Sequence, residues 1–132
     1  MEMPVVVGLH VCERVTADPV TGALSLSNRI TRLSSEHFPT LGFDLSVIAF
    51  LTDGFGMLAF RIEIESLATG ELIHEFPTME PFADRLREVN FQLRLPNVAF
   101  PHPGGYQIGL MIEDEPIARC RISLLEPPGE SA

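Results

Sequence analysis

Apolar residues recur at every second position along almost the whole chain, and no long segment carries the 3.6-residue period of a helix. That pattern confines the chain to strands with one face in a core. Val5, Val7, Leu9 and Val11 alternate in the first run, with Val6 set opposite to them. "FDLSVIAFL" alternates through Phe43, Leu45, Val47, Ala49 and Leu51. "MLAFRIEIE" sends Leu58, Phe60, Ile62 and Ile64 to one side and Arg61, Glu63 and Glu65 to the other. "VNFQLRLP" continues through Val89, Phe91, Leu93 and Leu95. The last two runs are Tyr106, Ile108, Leu110, Ile112 and Ala118, Cys120, Ile122, Leu124, joined by the acidic turn "EDEP".

Turn signals separate the runs: "TADPVTG", "TDGFG" and "SLATG" combine Asp, Pro and Gly, each suited to bending the chain. The stretch "PTMEPFADRLRE" is the one place where a short helical turn is expected. About eight short strands without β-α-β alternation make an all-β sandwich or barrel. One local motif selects the sandwich. Gly104 stands two residues before Tyr106 and Ile108 two after it, the spacing of a tyrosine corner, whose hydroxyl bonds back to the backbone at the entry to a late strand. The plainer reading of Gly104-x-Tyr106 is an ordinary exposed tyrosine. The expected fold is an immunoglobulin/fibronectin-like β-sandwich of seven to eight antiparallel strands over residues 1–125, followed by a polar tail, 126–132.

The segments "TGALSLSN", "LTDGFG", "FADRLREVNFQLRLPNVAFPHPGGY" and "EDEPIARCRISL" together resemble a family of small uncharacterised bacterial β-sandwich proteins, from about Val5 to Leu124. The resemblance implies an immunoglobulin-like sandwich and carries over no catalytic residue.

The chain has 132 residues and a formal net charge of -9. That balance opposes nucleic-acid binding, which needs Lys and Arg to replace counterions along the phosphates, and opposes docking on anionic membranes. No apolar run approaches the ~20 residues of a membrane span. The N-terminal "MEMPVVVGLHVCERV" lacks a basic leader and a small-residue cleavage site, so a cytoplasmic location is expected, with Cys12 and Cys120 reduced. A disulfide joining the first and last strands is the alternative.

Motifs for chemistry are absent: no G-x-S-x-G, no phosphate-cradling glycine loop, no H-E-x-x-H. His10, His37, His74 and His102 lie on different elements. Arg119 and Arg121 flank Cys120 but point away from it in a strand, so they do not activate its thiol. Counting alternate loops brings Asp18, Asp53, Glu80 with Asp84, and Glu113-Asp114-Glu115 to one end of the sandwich. Calcium takes six to eight oxygens from such loops, and the candidate ligands are Asp18, Asp53, Asp84 and Asp114. The competing reading is that acids favour turns and water. A small hydrolase is the third possibility; with no Trp and a single Tyr there is no aromatic platform for a sugar.

"PVVVGL" and "SVIAFL" are apolar on both faces, which leaves Val6, Ile48 and Phe50 opposite the core-directed residues. A sheet with one buried face does not require them. Either a loop ("SSEHFPTLG" or "PTMEPFADRLRE") covers that face, or a partner does. The expectation is a non-enzymatic interaction module that self-associates, most simply as a two-fold dimer, through this apolar face or through the edge of the first or last strand.

Overall fold

The computed structural model of the protein describes residues 3–82 and 88–127. Nine strands follow in order: β1 (Val5–Ala17), β2 (Leu24–Arg29), β3 (Arg32–Ser34), β4 (Phe43–Thr52), β5 (Gly56–Ser66), β6 (Leu72–Phe82), β7 (Val89–Val98), β8 (Gly104–Ile112) and β9 (Glu115–Leu125). They form a four-stranded sheet, β2-β1-β4-β7, and a five-stranded sheet, β3-β9-β8-β5-β6. The chain passes between the sheets at Ile30 and Thr31. Ile30 N–H bonds to the Val11 carbonyl in one sheet, and Ser123 N–H bonds to the Thr31 carbonyl in the other. β3 therefore joins β9 in parallel, Arg32 opposite Ser123, while every other pairing is antiparallel. The strand count is one above the expected range because of this three-residue piece. The expected helical turn is replaced over Pro77–Phe82 by the last residues of β6; residues 83–87 lie outside the described residues.

The facing sides of the sheets meet in one core. Leu45, Val47, Ala49 and Leu51 of β4 face Leu58, Phe60, Ile62 and Ile64 of β5, and Tyr106, Ile108, Leu110 and Ile112 of β8, all at 1% exposure or less. Phe60 lies 4.7 Å from Phe91 and 5.8 Å from Phe82, ring centre to ring centre, which joins the sheets at one end. Phe100 lies 4.9 Å from Tyr106 at the other. Such aromatic pairs add about 0.5–1.5 kcal/mol beyond the area they bury.

Two features of the four-stranded sheet correct the reading of its outer face. A bulge between Val6 and Gly8 shifts the register of β1 against β4. One extra residue reverses which side chains face the core. Val6 thus packs against the core, while Val5 and Val7 are 55% and 65% exposed. Ile48 does point outward, yet none of it is exposed. Its neighbours on that face are His10 and Gln92 across the strands and Phe50 two residues on, so its own sheet encloses it. Val6 is thus partly buried on the core side and Ile48 is fully buried, so neither presents the exposed outer-face surface expected of it. Phe50 remains half-exposed.

Candidate functional site

Strand directions place the acidic loops. β4 runs antiparallel to β1 with Thr52 opposite Val5, so Asp53 lies beside the start of β1, whereas Asp18 follows its far end. A 13-residue strand is roughly 40 Å long at about 3.3 Å per residue, which is incompatible with one ion held by both. Among the described members of the expected group only Asp18 is displaced, because the separate piece β3 adds one crossing after the first loop; Asp53 and the Glu113-Asp114 hairpin stay at one end, beside the start of β5. Each acid also has local work. Asp18 Oδ1 accepts from Val20 N–H at 2.8 Å and Thr21 N–H at 3.0 Å, closing its turn. Asp53 accepts from the Thr52 hydroxyl at 3.2 Å. Glu113 and Asp114 form a two-residue hairpin, both at positive φ (52° and 64°). Glu113 accepts from Ala59 N–H at 2.8 Å, and Asp114 pairs with Arg61 at 2.7 Å. Asp84 lies outside the described residues. Among the described residues no three His, Cys, Asp or Glu side chains are placed to hold one metal ion.

The Tyr106 hydroxyl donates to the His102 carbonyl at 2.6 Å, four residues upstream, and accepts from His102 N–H at 3.3 Å. This is the bonding of a tyrosine corner, and the Gly104 φ of 132° is one that side chains rarely adopt. Sequence reading missed what is attached to it: Ser66 Oγ stands 3.2 Å from His102 Nε2. Nδ1 lies 3.0 Å from the Pro103 carbonyl, which can only accept, so Nδ1 carries the proton and Ser66 donates to Nε2. A serine bonded to a histidine invites a hydrolase reading. Ser66, however, is fully buried, so its Oγ meets no substrate. No spacing signal links residues 36 positions apart.

The cysteines are unpaired. Burial raises the pKa of both thiols, that of Cys120 to about 11 against a lowering from Arg29. Cys12 donates to the Ser46 carbonyl. Neither has the electropositive, exposed setting of a reactive thiol. His10 Nδ1 is buried without a partner, and the ring meets Phe50 edge-on at 6.4 Å.

The surfaces are more informative than the interior. β2 covers the edge of β1 only from Cys12 to Ala17. Over Val5–His10 no described strand pairs with β1 on the side away from β4. That edge contains no Lys, Arg, Asp, Glu or Pro, and Val5, Val7 and the half-exposed Phe50 lie beside it around the flat Gly8. β9 is open in the same way from Glu115 to Ile122, since β3 covers only Ser123–Leu125. There Pro116, Arg119 and Arg121 guard the edge. A groove of about 680 Å³ on the four-stranded sheet is lined by Arg14, Ser46, Gln92, Arg94 and Asp44. Asp44 is already engaged by Asn97 N–H and Arg94, which hold its pKa below the usual carboxylate range.

No curated protein matches the chain. Among solved structures it is similar to an immunoglobulin-like protein from Pseudomonas aeruginosa, at 10% identity and a TM-score of 0.44, over 94% of this chain and 98% of that one. It is also similar to part of a β-glucosidase from Listeria innocua in complex with glucose, at 13% identity and a TM-score of 0.47, over 72% of this chain. The chain spans only 15% of that enzyme's length. A third similarity, at 10% identity and a TM-score of 0.43, is to the alkylpurine DNA glycosylase AlkC of Pseudomonas fluorescens, over 88% of this chain and 30% of that one. At such identities and scores these likenesses say nothing about activity. The match over residues 8–125 is specific, and by it the chain belongs to the family of unknown function DUF6941.

Proposed function

We propose that this protein is a non-enzymatic interaction module of the cytoplasm that pairs with a second copy of itself through the N-terminal half of β1. The observation that carries the reading is the open edge Val5–His10, unguarded by charge or proline in a chain of net charge -9. Free N–H and C=O groups on such an edge are a template for another strand. Antiparallel pairing of two such edges about a two-fold axis joins the four-stranded sheets of both copies into one. It also brings Val5 and Val7 of each copy under cover. Full burial of a valine contributes about 1.5 kcal/mol, so four of them offset part of the association cost. No helix is long and apolar enough to cross a membrane.

Light scattering at tens of micromolar tests this. Wild type is expected at twice the chain mass of 14.6 kDa. Val7→Lys, which places two like charges across the axis, is expected to be a folded monomer. A monomeric wild type, or a Val7→Lys variant that remains a dimer, overturns the reading.

A further inference from the structure

The outer face of the five-stranded sheet holds a trench that the fold does not explain. Its floor is Gly109, in the middle of β8, between Glu63 of β5 and Arg119 of β9. Gly109 lacks the positive φ that would require glycine, and a Cβ built there meets nothing within 4 Å. No described residue prevents a side chain at that position, and glycine weakens a strand interior. A glycine of this kind marks a place where another backbone or ligand approaches closely.

The walls of the trench have opposite charge. Along β5 stand Glu63 and Glu65; along β9, two strands away, stand Arg119 and Arg121. The rows read Glu63–Gly109–Arg119 and Glu65–Gln107–Arg121. Across the trench the two walls lie roughly 10 Å apart, twice the strand spacing, and make no ion pair with each other. Glu63 is held by Arg61 at 2.8 Å. Glu65, Arg119 and Arg121 have no ion-pair partner among the described residues. Met111 and Pro116 close one end with apolar surface.

This pattern is its own complement. A two-fold axis running along β8 turns the acidic wall of one copy onto the basic wall of the other. Glu65 then opposes Arg121 of the second copy, Glu63 opposes Arg119, and the glycine floors meet where the sheets must approach most closely. We infer that this face is a second self-contact, distinct from the β1 edge, and that its occupant is another copy of this chain. Each protomer then carries two isologous patches on different sheets, so edge-paired dimers link face to face into larger assemblies. The face contact is the weaker of the two. Exposed ion pairs contribute little each, and the net charge of -9 on each copy opposes association. It therefore forms at millimolar concentration, above the range in which the edge pairs.

Val7→Lys isolates the face contact, so failure of the edge reading and failure of this one are separable. In that background sedimentation at millimolar concentration is expected to show dimers. Glu65→Arg and Arg121→Glu, each added alone, are expected to abolish them, because each sets like charges opposite one another. An equimolar mixture of the two is expected to restore dimers containing one of each. The mixed pair carries the same summed charge as two parent chains, so the recovery reports the local pattern. Gly109→Val is expected to fold with unchanged or higher melting temperature and to weaken the face contact at least about tenfold, since a β-branched residue suits a strand but fills the trench. A parent that stays monomeric at millimolar concentration, a mixture no more associated than its components, or undiminished association of Gly109→Val overturns the inference.

Discussion

Tyr106 shows how much one side chain can organise. Its ring fills the core against Phe100, its hydroxyl holds both backbone groups of His102, and His102 in turn accepts from Ser66 at the end of β5. Tyr106→Phe keeps the ring and strands the His102 carbonyl. The expected loss is about 1–2 kcal/mol, read as a lower denaturation midpoint with unchanged slope. A midpoint equal to wild type would remove the corner from the stability argument. A second residue-scale expectation concerns acid. Backbone donors Thr21 and Val20 hold Asp18 below the usual carboxylate range, and Asn97 N–H followed by Arg94 does the same for Asp44. Groups with a depressed folded pKa contribute stability that is fully present above their unfolded pKa, about 3.9, and is lost as pH falls through the folded value. Melting temperature should therefore drop below about pH 4, and less steeply in Asp18→Asn/Asp44→Asn. Equal slopes in both proteins would mean that other carboxylates govern the acid limb.

Among the elements, β1 and β9 are instructive because each is half edge. The crossing at Ile30 and Thr31 gives β2 to the C-terminal half of β1 and β3 to the C-terminal end of β9, and leaves the remainder of each strand with one edge unpaired among the described residues. The two open halves differ in composition. β9 carries a proline and two arginines; β1 carries valines, a glycine and a bulge. A bulge also deters pairing, but it bends one strand locally, while charge repels along the whole edge. This difference is the reason the proposed pairing is assigned to β1 and not to β9. Because Val7 is 65% exposed, Val7→Lys should alter the melting temperature by no more than an ordinary surface change, within about 0.5 kcal/mol. Its effect on association then belongs to the edge and not to misfolding.

For the whole molecule, the pairings that close the sandwich are distant in sequence: β1 with β4, and Arg32 with Ser123. Closing such loops before contacts repay them makes folding slow, so refolding is expected in milliseconds to seconds after denaturant dilution, and a microsecond main phase would contradict it. Much of this architecture was legible in the sequence. Period-two alternation named the core faces of β4, β5, β8 and β9, because a strand buried on one side must repeat with that period, and Gly104-x-Tyr106 supplied the corner from local geometry alone. Three things were decided only by the fold. The bulge at Val6–Gly8 turned Val6 inward, because one extra residue inverts a strand's faces while the apolar pattern "VVV" fits either facing. Ile48 was enclosed by His10, Phe50 and Gln92, which lie on three different strands. Asp18 and Asp53 were sent to opposite ends, because a three-residue strand with no periodicity of its own changes the count of loops. The sequence carries information about which face of a strand is apolar; which strands become neighbours, and so which edges and charges stand free, is set by long-range pairing that no local pattern encodes.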